Sequence, residues 1–414
     1  MADVRVPAFK VLYEGLDITE DISDDVVRIT YSDADGGEAD EIRITVDDMF
    51  AKWKDTWRPN RGDKISLSIG YAGEGLLDMG TFHIDEVHYR GQPDVVEFRA
   101  LSVPIDSNLW TIDSKGYENI TLKELAQQIA TENGLDFVYD YANEQVEDVA
   151  TSTLRASRVM NLRHGRLYQD RETPLHFLNR LANRYGIKFN VKGDALTYIT
   201  IYQLHSIEPV TDVVHYALEP QLYARTDRSP EWLQYDETQN DILNSVFPEL
   251  RSYDLRDCQD KDAAGIDVIN YNPFGQEGFI YRLNAGADLR AKLGENFPSF
   301  ARSIGADLSY LEDKRNANET ERLKRRIRMY EEVDNMTQAE VIAMAHLFEA
   351  TTSAVEGSVD FEGTPVAQAG TNIQIRGLRW LDGKYHISKS YHDITRNAGY
   401  TTRVDVKMVG LLSD

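Results

Sequence analysis

Nine histidines, one cysteine and 69 carboxylates are the side chains of this chain that could carry chemistry. A histidine metal centre needs ligands that converge, and the sequence offers no HExxH and no HxH with a carboxylate at ligand spacing. His83, His88, His386 and His392 lie instead on or beside alternating apolar runs, where they read as satisfied structural histidines. With so many acids, carboxylate pairs are inevitable and carry no weight for glycoside or peptide hydrolysis. Cys258 stands alone, which excludes both an intrachain disulfide framework and a CxxC metal or redox site. There is no GxSxG, no Walker-type loop and no GxGxxG between a strand and a helix. The glycine-rich turn at Ala34 is flanked by Asp33, Asp35, Glu38, Asp40 and Glu41, which would repel a phosphate. No catalytic, cofactor-binding or metal residue is therefore assigned, and the residues point away from an enzyme.

The bulk composition narrows the classes further. A formal charge of -24 repels nucleic-acid backbones, so specific nucleic-acid binding is not expected. The 42% hydrophobic content, with 22 Tyr and 14 Phe, is that of a globular chain, and 414 residues imply two to four domains. The start, MADVRVPAFK, shows neither an apolar h-region nor a cleavage site, and no run approaches the ~20 apolar residues of a membrane span. A soluble chain without a classical export signal, suited to a reducing cytosol, is the expectation.

The elements that must position these residues are mostly strands. Between Ala8 and Leu101 six alternating runs are predicted: 9–13, 26–31, 41–46, 64–69, 80–89 and 95–101. Trp53 and Trp57 lie in a loop between them, either as lids on the core or as a partner patch. A helix starts at Thr121, where Thr121 and Glu124 form a capping box and Leu122, Leu125, Ala126 and Ile129 form an apolar stripe. A second helix follows Thr173 and Pro174, is stopped by Gly186, and leads into a hairpin through Ile187, Phe189 and Val191 and back through Leu196, Tyr198 and Thr200. Thr121, Ala130, Gly134 and Phe137 match Thr173, Ala182, Gly186 and Phe189 at one constant spacing, a shared shape that duplication or convergence could produce.

A longer-range echo links the two ends of the chain. Gly80, Phe82, His83 and Ile84 recur as Gly383, Tyr385, His386 and Ile387, each set after a glycine-led strand and a loop and before a further strand. Two similar small β-barrels, one at each end, are the economical inference. The stretch 219–278 is polar and turn-rich and reads as irregular, and 285–330 reads as helical. Arg322, Lys324, Arg325, Arg326 and Arg328 would then be either a solvated helix face paired with Glu319, Glu321, Glu331 and Glu332 or a docking patch for an acidic partner. Thr337 and Glu340 are read as capping a last helix through Phe348.

The run from Gln169 through Phe177, Leu178, Arg180, Leu181, Ala182, Gly186, Gly193 and Leu196 resembles the signature of the phage late control gene D family, the baseplate hubs of contractile tails. It is similar also to the hub portion of the VgrG spikes. Gly383, Tyr385, Ile387, His392 and the Gly399-Tyr400-Thr401-Thr402 run resemble that family's closing barrel. The resemblance implies an α+β, mainly antiparallel β fold with two similar tail-tube-type β-barrels and inserted helix and hairpin segments, including a LysM-like unit at Thr121. The domains expected are an N-terminal barrel (1–105), a helix and hairpin insert (106–218), an irregular and helical insert (219–335) and a C-terminal barrel (336–414).

What the resemblance implies about function is a structural baseplate hub, a homotrimer adapting a sixfold tail tube to a threefold central spike. Its expected partners are the tail tube protein, the spike as a separate chain because this one ends just after its last barrel, baseplate wedge proteins and a tape-measure protein. It would be assembled in the bacterial host cytoplasm and reside in the virion tail. An acidic trimer lumen would keep passing DNA or cargo from sticking. Two alternatives stand beside this reading: a peptidoglycan-binding tail module, if the LysM-like unit holds glycan, and a hub with muralytic activity.

Overall fold

The computed structural model describes residues 5–36, 39–102, 108–139, 156–192, 195–201, 204, 207–215, 247–257, 265–270, 280–284, 326–352, 355–378 and 381–411. Along the chain, strands β1 (Pro7–Tyr13), β2 (Leu16–Asp17), β3 (Val26–Ala34), β4 (Glu41–Asp47), β5 (Lys64–Tyr71), β6 (Gly75–Arg90) and β7 (Val95–Leu101) form a first unit. There follow β8 (Asp113–Thr121), helix α1 (Leu122–Glu132), β9 (Asp136–Tyr139), β10 (Arg163–Glu172), helix α2 (Pro174–Tyr185), β11 (Ile187–Lys192), β12 (Ala195–Thr200) and β13 (Asp212–Val214). The remainder is β14 (Leu250–Asp257), β15 (Gly265–Asn270), β16 (Ile280–Asn284), β17 (Arg326–Glu331), helix α3 (Met336–Thr352), β18 (Val355–Glu362), β19 (Asn372–Arg376), β20 (Gly383–Thr395) and β21 (Gly399–Leu411). The fold is α+β and mainly antiparallel β.

Period-two alternation decides which side of each strand is buried. Ile42, Ile44 and Val46 of β4, Ile65, Leu67 and Ile69 of β5, and Val96, Phe98 and Ala100 of β7 all face one core, while their neighbours face solvent. Trp53 is part of that core: it stacks on Phe98 at 5.9 Å and donates its indole N–H to Asp25 at 3.1 Å. Trp57 lies edge-on to it at 5.8 Å and is partly buried. Of the two readings open for this pair, the lid is the one the structure takes.

The echo between the chain ends extends to the backbone. Strand order is β3-β4-β7-β6-β5 in the first unit and β14-β18-β21-β20-β19 in the second. Each has a register shift between its third and fourth strands at matching residues, between Ile84 and Glu86 in β6 and between Ile387 and Lys389 in β20. A second shift recurs as well, between Val26 and Arg28 in β3 and between Leu250 and Ser252 in β14. Bulges insert one residue and flip side-chain parity, so two shared bulges mark the same twist built twice. The halves are not separate sheets, because β20 pairs antiparallel with β3 from Lys389↔Ala34 to Thr395↔Arg28, giving one 13-stranded sheet among the described residues.

The insert is itself doubled. Thr121 and Thr173 both have extended backbones and accept the N–H of the residue three on, from Glu124 and His176. Antiparallel β8 and β10 pair with Gly116 opposite Tyr168, two residues related by the constant spacing of the repeat. That places a local twofold between them. Strands β9 and β11 accordingly flank β12 on opposite sides, one parallel and one antiparallel.

Three expectations need correction. The stretch from Glu219 to Gly278 is not all irregular, since it contains β14 and β15; β14 is an edge strand whose side chains are largely exposed, so it lacks an apolar alternation to read. Residues 326–331 are strand, not helix: β17 pairs in parallel with β15, and Ile327 and Met329 alternate onto the core. Of the basic cluster, Arg322, Lys324 and Arg325 lie outside the described residues, as does the rest of the 285–325 stretch, while Arg328 is exposed on this strand. Finally, α3 is capped by Asn335, which accepts the Gln338 N–H at 3.0 Å, and not by Thr337, which lies within its first turn. Residues 339–348 of α3 are apolar nearly all round, with Val341, Ile342, Ala343, Met344, Leu347 and Phe348 buried, as expected of a helix enclosed by its own protein.

Gly134 and Gly186 both end their helices with left-handed backbones, at φ +68° and +66°. Around Gly134 the space for a Cβ is open, whereas at Gly186 it would lie 2.6 Å from the Ala345 Cβ of α3. Gly134→Ala is therefore expected to cost about 1 kcal/mol of left-handed strain. Gly186→Ala adds overpacking and should cost roughly 3 kcal/mol. Urea unfolding of the two variants measures the difference, and equal losses would show that α3 does not press on this turn.

Candidate assembly site at the junction of the two units

The junction is built from residues contributed by opposite ends of the chain. Tyr31 of β3 and His392 of β20 are paired across the strands and stack at 5.7 Å, both buried. His392 shares a 2.8 Å hydrogen bond with the Tyr400 hydroxyl, and Tyr400 lies 5.6 Å from Tyr71 of the first unit. The Tyr71 hydroxyl donates to the Gly363 carbonyl at 3.0 Å. Gly363 is needed there, because a Cβ at that position would strike the Tyr400 ring at 2.1 Å. At the rim Arg28 makes a two-pronged ion pair with Asp393, at 2.9 and 2.6 Å. The loop between β18 and β19 reaches over the first unit, where Asp33 accepts the Ala369 N–H at 3.1 Å.

At the other end of the junction a small cavity of about 30 Å³ is lined by Asp35, Lys188, Glu349, His386, Ser388 and Lys407 together with the apolar Ile201 and Leu204. It joins four parts of the protein. Asp35 follows β3, Lys188 belongs to the insert hairpin, Glu349 to α3, and His386, Ser388 and Lys407 to β20 and β21. A serine, a histidine and an aspartate together invite a test for nucleophilic catalysis, which requires a ring nitrogen free to take the serine proton. His386 has none. Its Nε2 meets the Asp35 carboxylate at 2.9 Å and its Nδ1 meets the Asn372 side-chain oxygen at 3.0 Å. Asn372 is oriented by donating its amide to the Leu204 and Ile207 carbonyls, at 2.8 and 2.6 Å. Ser388 itself donates to the Asp405 carbonyl. The cluster is a joint between elements, and the cavity has room for a water-sized molecule only.

The groups respond electrically as buried ones should. Burial alone would raise the Asp35 carboxyl, but the hydrogen bond from His386 and the Lys188 charge outweigh it and hold the group below its usual value. Burial pushes the Tyr31 and Tyr400 hydroxyls well up, and the Tyr71 hydroxyl to about 12. Burial drives His392 down to about 4. His164, at the base of α3, is lowered to about 4 for the same reason.

The four histidines singled out by sequence are thus dispersed in role. His386 and His392 are buried in the junction, while His88 is exposed on β6 and His83 sits half-buried opposite Lys64. Among the described residues no three His, Cys, Asp or Glu side chains are placed to hold a metal ion. The signature residues of the α2 region are architectural. Gln169 is buried and donates to the Glu172 carbonyl, Arg180 clasps Glu172 and donates to the Tyr168 carbonyl, and Phe177 stacks on Tyr117 at 5.7 Å. Gly193 lies outside the described residues. Sequence reasoning missed the Asp35–His386–Asn372 joint, whose only trace was the recurrence of a histidine beside Ile84 and Ile387.

Comparison with known proteins agrees with the family resemblance. The chain is 31% identical over 193 residues to the probable baseplate hub protein of Escherichia phage 186, covering 47% of this chain and 45% of that protein. The probable baseplate hub protein of Escherichia phage P2 matches to the same extent. The chain thus spans about half the length of the curated relatives it matches. No family model matches. Two solved structures share the fold over nearly the whole chain. A tail protein from Neisseria meningitidis MC58 superposes with a TM-score of 0.59 at 11% identity, covering 97% of this chain and 96% of its own. The 43 kDa tail protein of prophage MuSo2 from Shewanella oneidensis gives 0.58 at 11% identity, covering 97% and 98%.

The buried histidines set a pH window for stability. Unfolded, His164 and His392 take up protons near 6.5; folded, they do so only near 4, so the unfolded chain binds more protons between those values. Stability is therefore expected to fall as pH drops from 7.5 to 5, by roughly 2 kcal/mol per histidine. Urea unfolding at the two pH values measures the slope, and the double variant H164Q/H392Q should lose most of it. The low Asp35 carboxyl adds a separate loss only below its ordinary value of 3.8. An unchanged slope in the double variant would overturn the assignment.

Proposed function

We propose that this chain is a structural baseplate hub of a contractile tail or phage-like injection system, a homotrimer that joins a sixfold tail tube to a threefold central spike. One observation carries the reading: the chain contains two β-units with the same strand order and the same two bulges, set side by side by edge pairing. Three such chains in a ring would offer six similar units on one face while keeping threefold symmetry on the other. That is the property an adaptor between unlike symmetries requires. The similarity to the hub proteins of the two Escherichia phages supports the same assignment.

In this role the junction residues transmit load and do not react. The partners are the tail tube protein on the sixfold side, a spike protein on the threefold side, and wedge and tape-measure proteins around and within the ring. The site of action is the virion tail, after assembly in the host cytoplasm. Mass photometry of the purified protein, alone and with the spike protein, is expected to give a species of three times the chain mass. A map of the tail tip should show it between tube and spike. Only monomers in the presence of the spike, or density for the chain elsewhere in the particle, would refute the proposal.

A further inference from the structure

The small sheet of β16, β15 and β17 is covered on one face and open on the other. Its inner face, with Ile266 and Val268 of β15, Leu283 of β16 and Ile327 and Met329 of β17, packs in one core with α3. Register sets the composition of the outer face. Ile269 lies opposite Ile280 on one side and Tyr330 on the other, and two residues back along β15, Asp267 lies opposite Arg282 and Arg328. One row across the outer face is therefore Ile280, Ile269 and Tyr330, and the next is Arg282, Asp267 and Arg328.

Burial marks this face as incomplete. Tyr330 is 66% exposed and Ile280 46%, with Ile269 half-buried between them, and Arg282 and Arg328 are both exposed. Strands β15 and β17 run parallel, a pairing that is ordinarily covered on both faces. Single apolar residues on a surface need no cover, but here an aromatic ring and two isoleucines form one continuous row. The charge is equally out of keeping with its surroundings. In a chain of formal charge -24, the second row holds two arginines to one aspartate, and that aspartate is buried. Arg328 belongs to the basic cluster at 322–328, so the docking patch that the sequence left open as an alternative has its described part on this face.

We propose that the outer face of this sheet is a docking site for an acidic amphipathic helix of a partner protein, laid across the three strands. Strands sit about 4.8 Å apart, so the outer members of each row are roughly 10 Å apart. Two turns of helix, from i to i+7, rise about 10.5 Å. Apolar side chains at i, i+4 and i+7 of the incoming helix therefore meet Ile280, Ile269 and Tyr330 in turn, while carboxylates on its flank pair with Arg282 and Arg328. The inner face makes the matching contact already, since the same three strands seat α3 there. A nucleic-acid duplex or an anionic bilayer would bring many phosphates at once against a chain of charge -24, whereas one helix brings two carboxylates to two arginines. The site does not depend on the hub reading, because none of its residues belongs to either β-unit.

Fluorescence anisotropy on the full chain tests the site, with a labelled helical peptide of about 18 residues that carries leucine at i, i+4 and i+7 and glutamate along one flank. This peptide should bind, and the same peptide with lysine in place of glutamate should bind about tenfold more weakly or not at all. Tyr330→Ser, at an exposed position, and Arg328→Gln should each weaken the glutamate peptide about tenfold, and raising NaCl from about 50 to 300 mM should weaken it as well. Urea unfolding of both variants should match the unaltered chain; if either is destabilised, the comparison of the two peptides on the unaltered chain still decides. No binding of the glutamate peptide, equal binding of the two peptides, or binding indifferent to both Tyr330 and Arg328 overturns the site. A labelled DNA duplex or phosphatidylglycerol vesicles binding through Arg328 in place of the peptide would overturn the helix as occupant and the proposal with it.

Discussion

Everything in this molecule hangs on the backbone ladder between β20 and β3, which ties the last strands of the chain to the first. The partners are separated by some 350 residues, as the Asp35–His386 contact measures. Loop closure over such a span is costly but grows only slowly with length, whereas the ladder brings seven residue pairs, a buried Tyr31–His392 stack and the Arg28–Asp393 ion pair at once. Non-local pairing of this kind folds late and cooperatively. Once made, it converts two similar units into one sheet whose remaining edges are unlike each other.

The insert braces that ladder. Its pseudo-twofold core seats α2 against α3, and the hairpin of β11 and β12 brings Lys188 to Asp35 at 3.7 Å. Asn179 of α2 also donates to the Gly36 carbonyl at the end of β3. The turn after β3 is thereby held from two sides, by the insert and by His386 of β20. Such a joint explains why buried polar groups persist at a place where an apolar core would be simpler: each one fixes a relative position among separate elements. The exposed Arg328 and the half-buried His83 take no part in it.

Repetition has different consequences at its two scales. Within the insert, the twofold between Gly116 and Tyr168 closes on itself, because β8 and β10 satisfy each other. Between the two β-units the relation is side by side, so β20 finds β3, whereas among the described residues no strand pairs with the outer half of β6 on the side away from β7, and Val214 of β13 bridges Glu249 just before β14.

The sequence by itself determined what depends on near neighbours. The caps at Thr121 and Thr173, the stops at Gly134 and Gly186, the alternation of β4, β5 and β7 and the recurrence around Ile84 and Ile387 are all local patterns, and each appears in the fold. It failed where burial is decided from afar. Strand β17 reads as a basic helix until β15 pairs with it, and β14 reads as irregular because an edge strand needs no apolar face. Likewise Asn335 caps α3 because Asp334 and Gln338 are drawn to the start of β10, at Arg163 and Gly165, a contact across some 170 residues. Only the tertiary structure decided that His386 is locked between the Asp35 and Asn372 side chains and that the two units share one sheet. Hydrogen-bond partners and sheet edges are properties of the assembled backbone, and no local spacing of residue types encodes them.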